Sequence, residues 1–555
     1  MIERVEVVKG GGSALFGANA VAGTINIITK EAFHNSFQIS NSTTLVGMNA
    51  IDNSTNINGT IVSDNNRMGV AIFGANRYRQ GFDYDGDGFT ELPMLDSKNV
   101  GARAYFRTTN NTKLTAEYHT IYEHRRGGDS IHLAPHQANI AEDLKHNINT
   151  GSFKYDIYLD EGNHWIQIYS SLQHINRDSY YGTNQKLDAY GITKDLTNVD
   201  GIQYVWNMKK CLFMPAKLTA GLEYNYSHLY DYSPGLNRKV DQSVHQYSAF
   251  AQNEWKNTKL TLLIGLRSDY HSILKKVVLS PRANIRYTPA SWVALRAGYA
   301  SGFRAPQVFD EDVHIASVAD GELAYIVNDP NLKEEKSHSF NFSADFNKKW
   351  KSSAFTFLFD GFYTNLKDVF TLVDQEAVNG YIEKIRKNGS GAYVTGVTAE
   401  TKYAYLSKFD LQLSFTYQQS RYKEAYQWTE SLPAQKRMHR TPDTYGSITG
   451  TYYPFKKFEI SLSGTYTGSM LVQHYGAGTD GSDIEVNTPS FFDMGLKVGY
   501  DFRLGESSFL KLDLGIKNIL NSYQKDFDKG VNRDSGYIYG PSLPRSAFFS
   551  AQFRF

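Results

Sequence analysis

The chain has 555 residues, 58 Lys+Arg against 57 Asp+Glu, and a single cysteine, Cys211. A net charge of +1 excludes a global electrostatic case for nucleic acid, and one thiol excludes an internal disulfide or a thiolate-rich metal site. No apolar run reaches the roughly 18 residues of a transmembrane helix, yet Phe, Tyr and Trp make up 14% of a chain that is polar on average.

Residues 2–30 open with a strand-like run over Val5–Val8, a glycine turn at Gly10–Gly12, a short helical or turn segment, and a second strand-like run over Gly23–Thr29. The glycines suggest a phosphate loop, but no Gly-Lys-Ser/Thr follows and the spacing fits no dinucleotide fingerprint. These first residues also lack the charged-then-apolar pattern of a secretory signal peptide.

Beyond them, short polar breaks recur. They fall at Asp64-Asn65-Asn66, Asn110-Asn111-Thr112, Glu161-Gly162-Asn163, Pro215-Ala216-Lys217, Asn257-Thr258, Thr288-Pro289-Ala290, Lys348-Lys349, Ser407-Lys408, Pro454-Phe455-Lys456 and Gly505-Glu506-Ser507. Ten tight turns about 50 residues apart separate eleven hairpins, each with room for two strands and a longer loop. The predicted fold is all-β, a 22-stranded antiparallel transmembrane barrel. Short turns on one side and long loops on the other mark an outer-membrane barrel, in a size class whose lumen is plugged.

Three loops carry candidate chemistry. Asp83-Tyr84-Asp85-Gly86-Asp87-Gly88-Phe89-Thr90-Glu91 places carboxylates at positions 1, 3, 5 and 9 of a calcium loop, with Gly88 at position 6. Position 12 is Met94, so another loop must complete a site on Asp83, Asp85, Asp87 and Glu91; a solvated acidic loop is the other reading. The third hairpin's loop is read as Glu123 through His146, with His124, Arg125, Arg126, His132 and His136 as candidate ligand contacts. Four of the 15 histidines fall within 23 residues there, beside Glu142 and Asp143, a setting that suits a metal or a metal complex. Pro135 argues against a helix joining His132 to His136. In the seventh hairpin, Phe303-Arg304-Ala305-Pro306 precedes a loop containing His314, and Asp329-Pro330-Asn331-Leu332 follows it. Glu311 and Asp312 near His314 raise its proton affinity, which works against neutral iron ligation.

Toward the C-terminus the period of two is clearest. Leu510, Leu512, Leu514 and Ile516 alternate with Lys511, Asp513, Gly515 and Lys517, and Phe549, Ala551, Phe553 and Phe555 share a face of the last strand. A final aromatic strand ending in Phe resembles the signal that outer-membrane proteins present to their assembly machinery. No nucleophile elbow, zinc-protease pattern or other catalytic motif is present, so an enzyme is not expected.

Ile2–Val7, Ser13–Gly17 and Gly23–Lys30 closely resemble the end of the plug domain of TonB-dependent outer-membrane receptors. That resemblance implies residues 1–32 as the end of a plug and 33–555 as the barrel. It also implies an N-terminal truncation, because family members begin with a signal peptide, a TonB-contacting box and most of the plug. It implies the outer membrane of a Gram-negative bacterium, the TonB-ExbB-ExbD system as partner, contact with outer-membrane lipid, and a monomeric barrel, with a surface lipoprotein as a further candidate partner. It implies as cargo a scarce, large nutrient complex, a small-molecule metal complex: iron–siderophore or cobalamin first, haem next. The boxes around His314 resemble those of haem receptors, with Phe303, Arg304 and His314 as candidate ligand contacts, although Asp329 stands where that pattern has Asn. A passive porin-like channel and a surface-binding adhesin barrel are the alternatives.

Overall fold

The computed structural model describes residues 2–9, 17, 23–313, 317–319, 322–374, 381–429, 431–478 and 481–555. Among these, one antiparallel sheet closes on itself, from Ser36–Val46 around to Ser546–Arg554. Of its 23 strands, 22 complete the ring, and the three-residue Gln435–Arg437 is a side branch on Phe409–Tyr426. At the seam Ile39 faces Phe553, while Phe37 and Phe555 exchange backbone hydrogen bonds of 3.0 and 2.8 Å. Closure leaves no free edge, which is what a strand wall in lipid requires.

Alternation decides which way each side chain points. On Phe509–Lys517, Leu514 and Ile516 are exposed on the outer face. Lys511 and Asp513 turn inward, where Lys511 and Lys497 reach Glu459 Oε1 at 2.9 and 2.6 Å. On the opposite wall, Val100 and Tyr118 are each 54% exposed and mark the lipid side, with Arg103 and Glu117 inside. Aromatic clusters such as Tyr224, Tyr247 and His245, or His164, Tyr204 and Trp206, sit on the outer face where rings with polar tips suit an interface.

The wall is uneven in height. Phe89–Thr109, Tyr190–Cys211 and Met214–Ser233 run 21, 22 and 20 residues, whereas Thr444–Tyr452 and Ser546–Arg554 run nine. At about 3.3 Å per residue the tall strands far exceed the roughly 25 Å apolar band of such barrels. They stand clear of it on the long-loop side. Short strands adjoin instead long folded loops, 468–490 after Phe458–Thr467 and 518–545 before Ser546–Arg554.

All ten expected turns occur, three of them displaced. Ala216-Lys217 and Thr288–Ala290 lie in strands, and those chain reversals fall at Leu212-Phe213 and Ser291-Trp292; the third follows Lys349. Pro215 and Pro289 read as turn formers, but each occupies a strand end, Pro289 at a break in register where no ladder donor is needed. The third hairpin's loop is also corrected. Glu123–Asp129 and Glu142–His146 are paired wall, His124 facing Lys145, and the loop between them is only residues 130–139.

A two-stranded hairpin, Ile2–Lys9 with Gly23–Thr29, stands inside the ring. A cavity of about 690 Å³ lies between it and the wall, lined by Val7 and Ile25 on one side and by Ser339, Asn341, Thr398 and Thr416 on the other. Lys113 reaches Glu31 at 2.6 Å, and Arg103 donates to Thr29 Oγ1.

Candidate functional site

The long-loop end of the barrel is partly roofed. The loops over 305–334 and 368–391 build a four-stranded sheet from Ser317–Ala319, Glu322–Asn328, Tyr381–Asn388 and Phe370–Asp374, its central pair parallel. Asp312, 1% exposed, binds it to the wall. Its carboxylate accepts from Arg386 Nη1 at 2.7 Å, and its carbonyl accepts from Arg238 Nη2 at 2.7 Å. The Arg238 guanidinium also stacks on Tyr325, 5.6 Å from the ring centre. Across the mouth, Lys384 lies 4.9 Å from the Tyr475 ring on the 468–490 loop.

Beneath the roof, Met68–Arg79 and Thr112–Asp129, which flank Phe89–Thr109, present arginines to the lumen. Register places Arg79 opposite Leu95 and Leu95 opposite Arg125, and Arg77 lies two residues below Arg79 on the same face. Asp52 accepts from Arg77 through two bonds of 2.9 and 2.7 Å, and Glu123 accepts from Arg125 at 2.7 Å. The Arg77 and Arg125 side chains stay 44% and 53% exposed, open to an arriving ligand.

The other expected contacts separate. His124 and Arg126 share the outer face with Tyr118. His124 Nε2 lies 2.5 Å from Asp143, and Arg126, 3% exposed, reaches the Asp129 carbonyl at 3.2 Å. His136 Nδ1 meets the Tyr190 hydroxyl at 2.8 Å on a single 3-10 turn, and His132 is exposed in the same loop. These groups fasten a loop to the outside of the wall, away from the lumen. Phe303, 1% exposed, packs with Ala305 against Leu274 and Val278, where the ladder between Lys276–Ala290 and Val293–Arg304 has ended. It is a packing residue. Arg304 lies 4.1 and 5.7 Å from the rings of Phe309 and Phe370. His314 lies outside the described residues.

The acidic loop does assemble. One carboxylate oxygen from each of Asp83, Asp85, Asp87 and Glu91 lies within 4.8 Å of the others. Asp83 accepts from the Gly86 and Gly88 amides at 2.7 and 2.8 Å, and Glu91 accepts from the Tyr84 amide at 2.7 Å. Gly88 has φ +91°, a left-handed bend that favours glycine. Burial, reinforced by Asp85 and Asp83, pushes the Glu91 carboxyl up to about 7. The 518–545 loop closes over this group, with Lys529 3.0 Å from Asp85 and Arg533 2.5 Å from Asp87. Tyr84 packs 4.9 Å from Tyr523 and 5.6 Å from Phe527, centre to centre. Of these basic residues only Arg125 was singled out from sequence; no local motif marks Arg77, Arg79, Lys529 or Arg533.

A closed 22-strand barrel with a lumenal hairpin and a roofed, arginine-lined mouth defines an outer-membrane receptor barrel. The family model described as TonB dependent receptor-like, beta-barrel matches residues 40–519, and the chain belongs to that family of receptors and transporters, which are not enzymes. It superimposes on the siderophore receptor PirA of Acinetobacter baumannii with a TM-score of 0.79 at 16% identity, covering 100% of this chain and 85% of that one. The ferric enterobactin receptor PfeA of Pseudomonas aeruginosa gives 0.76 at 16% identity, covering 100% and 85%. The ferric-catecholate import receptor Fiu of E. coli K12 gives 0.74 at 14%, covering 100% and 86%. At such identities the likeness is one of fold. The comparison with curated proteins returns no match.

Proposed function

We propose that this receptor captures an anionic ferric siderophore at its extracellular mouth and passes it inward when the TonB system displaces the plug. The observation that carries this is the lumen-facing group of Arg77 and Arg79 on one strand and Arg125 on the next strand but one, whose charge Asp52 and Glu123 only partly balance. A ferric catecholate presents a compact negative charge and flat rings. Guanidinium groups meet both, the charge by hydrogen bonds and the rings by stacking. That the structural neighbours named above are siderophore, ferric enterobactin and ferric-catecholate receptors supports this reading.

Residues 1–32 are taken as the end of the plug and 33–555 as the barrel. The wall cannot be the moving part, because every strand is paired on both sides around the ring. Among the described residues, Arg103–Thr29 and Lys113–Glu31 tie the hairpin and the segment after it to the wall through side chains, so a pull on it leaves the backbone ladder of the wall intact.

The test is quenching of tryptophan fluorescence by ferric enterobactin, vitamin B12 and haemin, using the chain in detergent micelles. Ferric enterobactin is expected to bind, and Arg77→Ala/Arg125→Ala to weaken it at least about tenfold, the loss of one charge-assisted contact or more. Saturable binding of vitamin B12 or haemin with no response to the ferric chelate overturns the reading.

A further inference from the structure

We propose that Asp83, Asp85, Asp87 and Glu91 form a calcium site that orders the 80–88 loop and so secures the 518–545 loop over it. Their oxygens lie within 4.8 Å of one another, so small side-chain shifts bring all four to the 2.3–2.6 Å oxygen–calcium distance of a single ion. A second observation is independent of this clustering. Glu91 is 7% exposed and its Oε1 meets no donor, and Asp85 Oδ1 is hidden from solvent without a hydrogen bond while Oδ2 faces Lys529. Buried carboxylate oxygens left this way are costly, and a shared cation relieves them together.

Charge selects the valence. With all four carboxylates ionised around a bound ion, their charge exceeds that of Lys529 and Arg533 by two, the deficit that one divalent ion fills. Donor type selects the class, since an all-oxygen carboxylate set suits calcium or magnesium over zinc or copper. Magnesium demands a near-ideal octahedron of shorter bonds and keeps most of its water. A loop bent through Gly86 and Gly88, with its rim exposed, offers the adaptable set that calcium accepts.

The coupling to the neighbouring loop runs through Tyr84. Its amide donates to Glu91, and its ring contacts Tyr523 and Phe527. Lys529, whose side chain is 60% exposed, occupies the same Asp85 carboxylate and competes with the ion. Arg533, held also on the Phe89 ring at 4.3 Å, remains in place.

The experiment is a terbium titration of the chelator-treated full chain in micelles, read by tyrosine-sensitised luminescence from Tyr84 and Tyr523, with calcium or magnesium as competitor. Calcium is expected to displace terbium in the micromolar to low millimolar range, and magnesium only at tenfold or higher concentration. Glu91→Gln and Asp85→Asn should each weaken calcium about tenfold or more. Lys529→Ala should tighten it severalfold, a gain that misfolding cannot mimic, and heat-modifiable gel mobility verifies that each barrel is folded. Absence of saturable calcium binding below about 10 mM in the parent chain overturns the site. Unchanged affinity in both carboxylate variants, or magnesium binding as tightly as calcium, overturns it equally.

Discussion

Arg533 and Asp87 are 446 residues apart in the chain, yet the guanidinium of one lies 2.5 Å from a carboxylate oxygen of the other. Between them the sheet has gone almost once around the ring. The pair joins the loop after Met68–Arg79 to the loop before Ser546–Arg554, across the barrel seam. What permits the approach is the short first loop, 47–49. Gly47 has φ +57° and a Cβ there would lie 2.3 Å from the Phe82 ring, so glycine alone lets Phe82 cross over Val46 and Ala50 toward Leu543.

Arg533→Ala should therefore release the 518–545 loop without unfolding the barrel. An ion pair with little solvent access, together with a ring contact, is worth about 1–3 kcal/mol here, which raises the open population roughly tenfold or more. Limited trypsin digestion reads this directly as faster cleavage at Lys525 and Lys529. An unchanged cleavage rate would show that the loop is held elsewhere.

The roof over the mouth should depend on the Asp312–Arg386 contact. Arg386→Ala leaves the Asp312 carboxylate buried without its guanidinium partner, a loss of about 3–5 kcal/mol. Hydrogen exchange should accelerate over Glu322–Asn328 and Tyr381–Asn388 while the tall strands stay protected. Adding Asp312→Asn removes the stranded charge and should recover part of the protection. A double variant that exchanges as fast as the single would place the stabilisation outside this pair.

Contact between the 468–490 and 518–545 loops should weaken as pH rises. Burial pushes the Asp534 carboxyl above its ordinary value, against hydrogen bonds from the Tyr475 and Gly536 amides and the nearby charges of His474 and Arg440. A raised carboxyl binds more protons folded than unfolded. Its contribution is full below the unfolded value of 3.8 and is lost as pH climbs through the folded one. The ratio of parent to Asp534→Asn loop cleavage should then grow as pH rises above 3.8. A flat ratio would remove Asp534 from the linkage.

Legibility from sequence followed the membrane. Where one face meets lipid, Leu510 through Lys517 must alternate, and the strand number could be counted from the turns. Above the lipid neither face needs to be apolar. Glu123–Asp129 and Glu142–His146 lose the period of two and read as loop, although their ladder continues unbroken. The same loss hid the pointing of His124 and Arg126, since a side chain's face is set by register with neighbours and not by its own polarity.

The acidic loop shows the division most plainly. Sequence alone determined the barrel, its 22 strands, and the four carboxylates at calcium-loop spacing, because alternation, turn residues and a nine-residue motif are local. Only the tertiary structure decided that Lys529 and Arg533 close over those carboxylates, that Arg77, Arg79 and Arg125 meet in the lumen while His124 and Arg126 face away, and that Asp312 fastens the roof. Each of these depends on ring closure and strand register, which bring distant segments together through pairing that no single segment specifies.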